Sequence, residues 1–372
     1  MRKTNGRTVA SKTAGESKKT NKQKQITTTL TFITLVCFIF LSFSGNVDSK
    51  TIFKMNHQFP ETAVGSKIDQ WFADEIFKAT KGEVEIKIFW SNKLGNPRDN
   101  LVLLSRGDID MAAMSAGYFP SELPHFSAPN SIPMGMDNIC QASEIMKAFI
   151  DQIPAFAQEA AQRGVQPLFF HVLNPYVLVS KEPITSFAQL KGKRIRSWGN
   201  DMPRLISSAE GKPLNLFLPD IYNALKHNVI DACPFSYDLV VSYKLFEVAT
   251  HISNVVMWEG PGWGVWIGQK AMDKLSVTQR QLFFEIAEKA RLKELPESMA
   301  AEKQAKEFLK TKGVQFHSFP LKEQEKWKSA SPDFFLEFIH KMEISGKGES
   351  ARQMVELWLS MRNNILCPDS SK

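Results

Sequence analysis

The amino-acid sequence predicts an α/β protein of two lobes, with a cleft between the lobes and long helices toward the C-terminus. Three observations carry this expectation. From Thr51 onward, short strand-like runs alternate with helical runs, the signature of an open parallel α/β sheet. The theme runs through once and starts again near Val165. Roughly 320 residues follow the N-terminal leader, more than one hydrophobic core usually supports.

In the first half, TIFKMNHQF from Thr51 is strand-like. Gly65 to Thr80 has helical spacing, with Ile68, Trp71, Phe72, Ile76 and Phe77 on one face. Lys81-Gly82 closes that helix, as glycine commonly does. EVEIKIFW alternates with period two, placing Val84, Ile86, Ile88 and Trp90 on one side. NLVLLSRG reads as a short helix and DIDMAAMS as a strand. In the second half, VQPLFFHVL and PYVLVSKEPI are strand-like, and FAQLKGKRIRSW is a helix, a glycine turn and a strand. DMPRLISSAEG is a helix ending in Gly211, and PDIYNALKHNVIDACPFS is a helix that becomes a strand at Val229. HISNVVMWEGPGWGVWIGQKAM reads as strands that cross back. SVTQRQLFFEIAEKARLKEL and the stretch to Lys310 are long helices with mixed-charge, solvated faces, and GESARQMVELWLSMRNNI is a final amphipathic helix. The implied partition is a leader over 1–45, a first lobe over 46–173 and a second over 174–260. Residues 261–372 supply crossing strands and C-terminal helices that pack on both lobes.

The formal charge of +7 belongs to the leader. Of 46 basic and 39 acidic residues, eight and one fall within 1–45, leaving 38 of each for the rest. The basic balance is therefore no sign of nucleic-acid binding. The leader is Lys-rich to Gln25, then apolar from Leu30 to Phe43. A basic region before a short apolar core is the pattern of a secretory signal, and the core is shorter than the roughly 20 residues of a bilayer span. Cleavage after Ser44 is the expectation, with an uncleaved anchor as the alternative. The chain is then exported, and its place is the periplasm.

No strong catalytic pattern is present: no GxSxG elbow, no HExxH, no P-loop and no GxGxxG. The seven histidines include no pair three or four residues apart, so no helical metal pair exists. The reading is a binding protein with no metal and no cofactor, and not an enzyme. Cys140, Cys233 and Cys367 remain after the leader, without metal-ligand spacing. Three cysteines permit at most one internal bridge, and the sequence leaves open which pair, or none.

Ligands of open α/β sheets sit beyond the carboxyl ends of strands. The candidate loops are therefore Asn56-His57-Gln58, Ser115 to Tyr118, Arg196 to Asn200, and Pro234 to Tyr237. From these, His57, Ser115, Trp198, Asn200, Phe235, Ser236 and Tyr237 are candidate ligand contacts. Tyr176 and Trp258, at the ends of strand-like runs, join them.

Five segments carry a resemblance. They are TKGEVEIKIFWSNKLGN, RGDIDMAAMSAGYF, FAQLKGKRIRSWGN, PDIYNALKHNVIDA and YKLFEVATHI, in that order. Together they resemble the solute-binding proteins of tripartite ATP-independent periplasmic (TRAP) transporters, the DctP-like group, over about Thr51 to Phe319. The resemblance implies a type II-like periplasmic-binding-protein fold. It implies capture of a small organic-acid anion by hinge closure and delivery to TRAP membrane permease subunits. It places the family's carboxylate-binding arginine on Arg196. A guanidinium suits that role because its planar fork matches a carboxylate with two parallel hydrogen bonds. The second arginine and the asparagine of sialic-acid binders fall near Tyr176 and Phe235, which argues against that ligand. Instead Tyr176, Trp198, Phe235, Tyr237, Trp258 and Trp263 would line an aromatic pocket with one anion anchor. Such a pocket suits a monocarboxylate or a keto or hydroxy acid with an apolar or ring-bearing tail. Asn228 and Ala232 stand where the family usually has glycine, so negative φ is expected at both. The alternative function is an extracytoplasmic sensing domain for a signalling partner, and a third is an exported hydrolase.

Overall fold

The computed structural model describes residues 50–367. The expected leader over 1–45 lies outside the described residues. Eleven strands form two sheets: β1 (Thr51–His57), β2 (Val84–Phe89), β3 (Met111–Met114), β4 (Val165–Val172), β5 (Tyr176–Ser180), β6 (Arg194–Ser197), β7 (Lys212–Asn215), β8 (Ala232–Phe235), β9 (His251–Trp258), β10 (Pro261–Gly268) and β11 (Gln315–His317). The first sheet has the order β2-β1-β3-β10-β4 and the second β11-β9-β5-β8-β6-β7.

The sheets are mixed rather than purely parallel. β1, β2 and β3 run parallel, but β10 is antiparallel to both β3 and β4. In the second sheet β5 is antiparallel to β8 and β9, while β6 runs parallel to β7 and β8. The cause is connectivity. The chain leaves the first sheet after β4, builds the second, and re-enters the first through Glu259-Gly260 as β10, in reversed direction.

Local chemistry explains the elements. Phe53 and Met55 of β1 and Val84 and Ile86 of β2 alternate into a core with Ile68, Phe72 and Ile76 of the helix Val64–Ala79. The expected long helices near residues 277–310 are one helix, Val277–Thr311, with Pro296 inside it. Ser276 and Gln279 cap its start reciprocally: Gln279 N donates to Ser276 Oγ (3.2 Å) and Ser276 N to Gln279 Oε1 (3.0 Å). Asn228 departs from the expected negative φ, at +58°. Asparagine tolerates the left-handed region, so the turn before β8 survives without glycine.

The C-terminal segment returns from the second lobe to the first. Trp327, on the helix Leu321–Ala330, donates its indole N–H to Leu205 O (2.8 Å). Trp358, on the helix Gly348–Arg362, donates to Gly135 O (3.0 Å). Cys140 and Cys367 form a disulfide 227 residues apart in sequence, and Cys233 is buried and free. A cross-link closing so long a loop stabilises mainly by restricting the unfolded chain. Replacing Cys140 and Cys367 by Ser is expected to cost about 2–4 kcal/mol in urea unfolding.

Glu259, in the β9–β10 crossing, is fully buried, and apart from a weak approach of the Gly260 backbone N–H its carboxylate oxygens have no hydrogen-bond partner among the described residues. Burial first, and then the nearby Glu302 and Asp238 charges, push its pKa well above the usual carboxylate range. The folded chain therefore holds a proton that the unfolded chain releases, so stability declines as pH rises above the ordinary Glu range. Glu259→Gln keeps shape and neutrality. Its thermal stability relative to the parent is expected to rise as the pH climbs above the ordinary Glu range, about 4.

Candidate functional site

β6 lies between β8 and β7, and its first three residues alternate. Ile195 is fully buried in the core. Arg194 turns outward, where its Nη2 pairs with Asp231 Oδ1 at 2.5 Å and its Nε donates to Asp231 Oδ2 at 3.0 Å. Arg196 has no such partner. It is 3% exposed, and its Nε donates to the Leu216 carbonyl (3.2 Å). Its guanidinium lies 4.3 Å from the centre of the Trp198 ring. Nη1 is sealed from solvent with no acceptor, and no carboxylate among the described residues pairs with the side chain. Burial pushes the Arg196 pKa down, while the hydroxyls of Tyr176 and Tyr118 pull it back.

Around this cation stands a box of rings. Tyr176 packs edge-on against Trp198 (5.8 Å between centroids) and Trp258 (4.9 Å), and the two indoles meet at 88°. Across from them the first lobe offers Gln58, Ser115 and Asn130. Ser115 N donates to Gln58 Oε1 (2.9 Å), and Ser115 Oγ donates to Asn130 Oδ1 (3.0 Å). Asn130 Nδ2 donates to the carbonyls of Pro261 (2.5 Å) and Gly262 (3.3 Å). A Cβ at Gly117 would lie 1.8 Å from Asn130 Oδ1, so only glycine fits there. Two indoles bridge the lobes: Trp198 Nε1 donates to Asn130 O (3.0 Å) and Trp258 Nε1 to Pro129 O (3.3 Å). The cavity left between them is small, about 20 Å3, room for little more than one water molecule. Its walls include Gln58, Ser115, Tyr118, Tyr176, Arg196, Trp198 and Trp258. Its walls combine one guanidinium with aromatic faces, and the lobes must part to admit anything larger than a water.

Residues 55–341 match the bacterial extracellular solute-binding proteins, family 7, the DctP family. The chain belongs to this family. It is 25% identical to an uncharacterized protein of Haemophilus influenzae, over 49% of this chain and 55% of that one, so this alignment spans little more than half of that relative's length. It is 21% identical to the sialic acid-binding periplasmic protein SiaP of Vibrio cholerae, over 82% of this chain and 93% of that protein. Among solved structures, a TRAP periplasmic solute-binding protein of Desulfovibrio salexigens with bound orotic acid superposes with a TM-score of 0.76. That match is 19% identical and covers 85% of this chain and all of the other, which shows the shared two-lobed fold.

Of the residues that the sequence singles out in this DctP-family chain, the cavity brings together Arg196, Tyr176, Trp198, Ser115 and Trp258. The others lie elsewhere. Asn200 is exposed and lines outer grooves of the cleft beside Pro120. Phe235 is fully buried behind Tyr176, with rings 5.6 Å apart. Ser236 is fully buried and lines none of the cavity. Tyr237 faces away, against Phe316 and Lys306.

His57 and Trp263 belong to a buried network within the first lobe. His57 Nδ1 accepts from Phe59 N (3.0 Å), and its Nε2 meets Asp69 Oδ2 (2.6 Å). With both ring nitrogens engaged, His57 has nothing to offer a ligand. Asp69 Oδ1 bonds His171 Nε2 (2.7 Å), and His171 Nδ1 bonds Glu294 Oε1 (2.6 Å). Trp263 stacks on His171 and donates to Asp69 Oδ2 (3.3 Å). The network ties β1, β4, β10 and the helix Val64–Ala79 to the helix Val277–Thr311. Burial lowers the affinity of His171 for a proton, but Asp69 and Glu294 together raise its pKa to about 10. Burial pushes Asp69 up, but His171 and His57 bring it down to about 2.

Three polar cavity residues were not singled out as contacts from the sequence: Gln58 and Tyr118, which lie in two of the candidate loops, and Asn130, which lies in none. For Gln58 a signal existed. Phe53, Met55 and His57 share one face of β1 and the first two fill the core, so the next residue faces the other way. Asp69→Asn leaves the buried His171 cation with one partner fewer, and is expected to cost about 3–5 kcal/mol in urea unfolding.

Proposed function

We propose that this chain is the extracytoplasmic solute-binding subunit of a TRAP-type transporter, capturing a small organic-acid anion and passing it to membrane permease subunits. The observation that carries the reading is the buried Arg196 guanidinium without a counter-charge at the lobe interface. Taking an ion out of water costs several kcal/mol unless a partner compensates. A carboxylate placed on the free edge of the guanidinium supplies that partner, and each charge-assisted bond contributes roughly 1.5–3 kcal/mol. The aromatic box favours a keto, hydroxy or ring-bearing acid. The orotic acid held by the D. salexigens relative is in keeping with this choice.

Closure follows from the same geometry. The Trp198 and Trp258 indole bonds to lobe-one carbonyls exist only when the lobes meet. An anion that touches Arg196 from one lobe and the Gln58 side from the other is contacted fully only in that state, so it shifts the balance toward closure. The permease supplies the energy of transport. The leader over 1–45 exports the chain to the periplasm.

A binding role rather than catalysis is supported by the commitments of the polar groups in the cavity. The Ser115 hydroxyl donates to an amide oxygen instead of a base. Arg196→Ala is expected to weaken solute affinity at least about tenfold by calorimetry, a loss of at least about 1.4 kcal/mol. Arg196→Lys should recover little of it, since an ammonium cannot make the forked contact. Unchanged affinity in Arg196→Ala removes the residue from the site.

A further inference from the structure

We infer that Gln58 is the second specificity-determining contact of the cleft, and that the solute carries a carbonyl-type acceptor, besides its carboxylate, that takes the Gln58 Nε2–H. The inference rests on the reading of Arg196 as the carboxylate anchor.

The orientation of a buried amide is settled by what surrounds it. Ser115 N–H can only donate, and it lies 2.9 Å from Gln58 Oε1. The amide oxygen therefore faces Ser115, and the amino group faces away from it. Gln58 is 4% exposed, and Nε2 is sealed with no acceptor among the described residues. A buried N–H left unmade is costly, and native structures rarely keep one without reason.

The neighbouring groups cannot satisfy it. The Ser115 hydroxyl donates to Asn130, and both Asn130 amide contacts run to the Pro261 and Gly262 carbonyls. Among the cavity residues, the sealed polar atoms without partners are Gln58 Nε2 and Arg196 Nη1. Both are donors, and they stand on opposite lobes. The Tyr118 and Tyr176 hydroxyls can act either way. The complementary solute therefore presents acceptors at two points, the carboxylate to lobe two and a carbonyl oxygen to lobe one. An acid with no second acceptor leaves Gln58 unsatisfied on closure. An acid with an ammonium beside its carboxylate brings a donor to donors. Sites built to bond a polar group reject the analogue that lacks it more strongly than apolar pockets reject a missing methylene.

The test uses the mature chain and matched acids that differ in one carbonyl: phenylpyruvate with 3-phenylpropionate, pyruvate with propionate, and phenylglyoxylate with phenylacetate. Thermal shift ranks them, and calorimetry measures the pair that binds. In the parent protein the carbonyl-bearing member of that pair should bind at least about tenfold tighter. Gln58→Met, which keeps length but has no N–H, should bring the ratio to within about twofold. Met also leaves Ser115 N–H without its acceptor, so both affinities fall, the carbonyl-free acid's by less. Gln58→Glu keeps the oxygen for Ser115 N and should weaken both acids by charge repulsion. A parent ratio near one, or an unchanged ratio in Gln58→Met, overturns the inference while leaving the Arg196 anchor standing. No binding of any of the six acids by the parent overturns both.

Discussion

A guanidinium buried without a counter-charge is the constraint from which the cleft is built. Arg194 and Arg196 lie two residues apart on the same strand, yet their surroundings differ in kind. Arg194 meets Asp231 and is neutralised at the surface. Arg196 is enclosed by rings and a single carbonyl, which hold its position without cancelling its charge. Trp198 links the two functions of the cleft. Its face supports the cation, and its N–H reaches Asn130 of the other lobe. Asn130 in turn fixes Ser115, and Ser115 fixes Gln58. The buried cation and the lobe contact thus belong to one continuous set of side chains.

The rest of the fold keeps that arrangement hinged. Three connections join the sheets: one through Asn174, one through Glu259-Gly260, and the helix Val277–Thr311, which carries the chain from β10 to β11. Asn174 donates to Asp238 of the second lobe (3.0 Å) and to Ser298 O of the helix Val277–Thr311 (2.8 Å). The Asp69–His171–Glu294 chain anchors the same helix to the first lobe. The C-terminal helices then return to the first lobe and are stapled there through Cys140 and Cys367. The long helix and the C-terminal helices thus touch both lobes, beside the short crossings.

Much of this was legible in the sequence, and the exceptions have physical causes. The alternation of strand and helix gave the two α/β lobes, and the Leu-Lys-Gly-Lys-Arg-Ile-Arg run led to Arg196. Sheet direction was not legible, because β10 reverses only through a long-range return to the first sheet. His57 was misplaced because strand-end position was weighed above strand parity. Its face is the core face, shared with Phe53 and Met55, and its partner Asp69 stood on a helix that read as amphipathic. Phe235 and Tyr237 belong to a strand-end loop that adds nothing to the cavity: one packs behind Tyr176 and the other against β11. Asn130 carried no local signal. It sits on the helix Pro124–Ser131, and its role appears only when Gly117 and the Pro261 carbonyl close on it.

The central claim is that the cleft was shaped around a carboxylate on Arg196. A crystal structure of the mature chain with an acid that stabilises it tests this most directly. The expected density places both carboxylate oxygens within hydrogen-bond distance of the guanidinium, with Nη1 engaged and the solute body between Tyr176, Trp198 and Trp258. A solute seated in the outer groove beside Asn200, with Nη1 still unpartnered, contradicts the account.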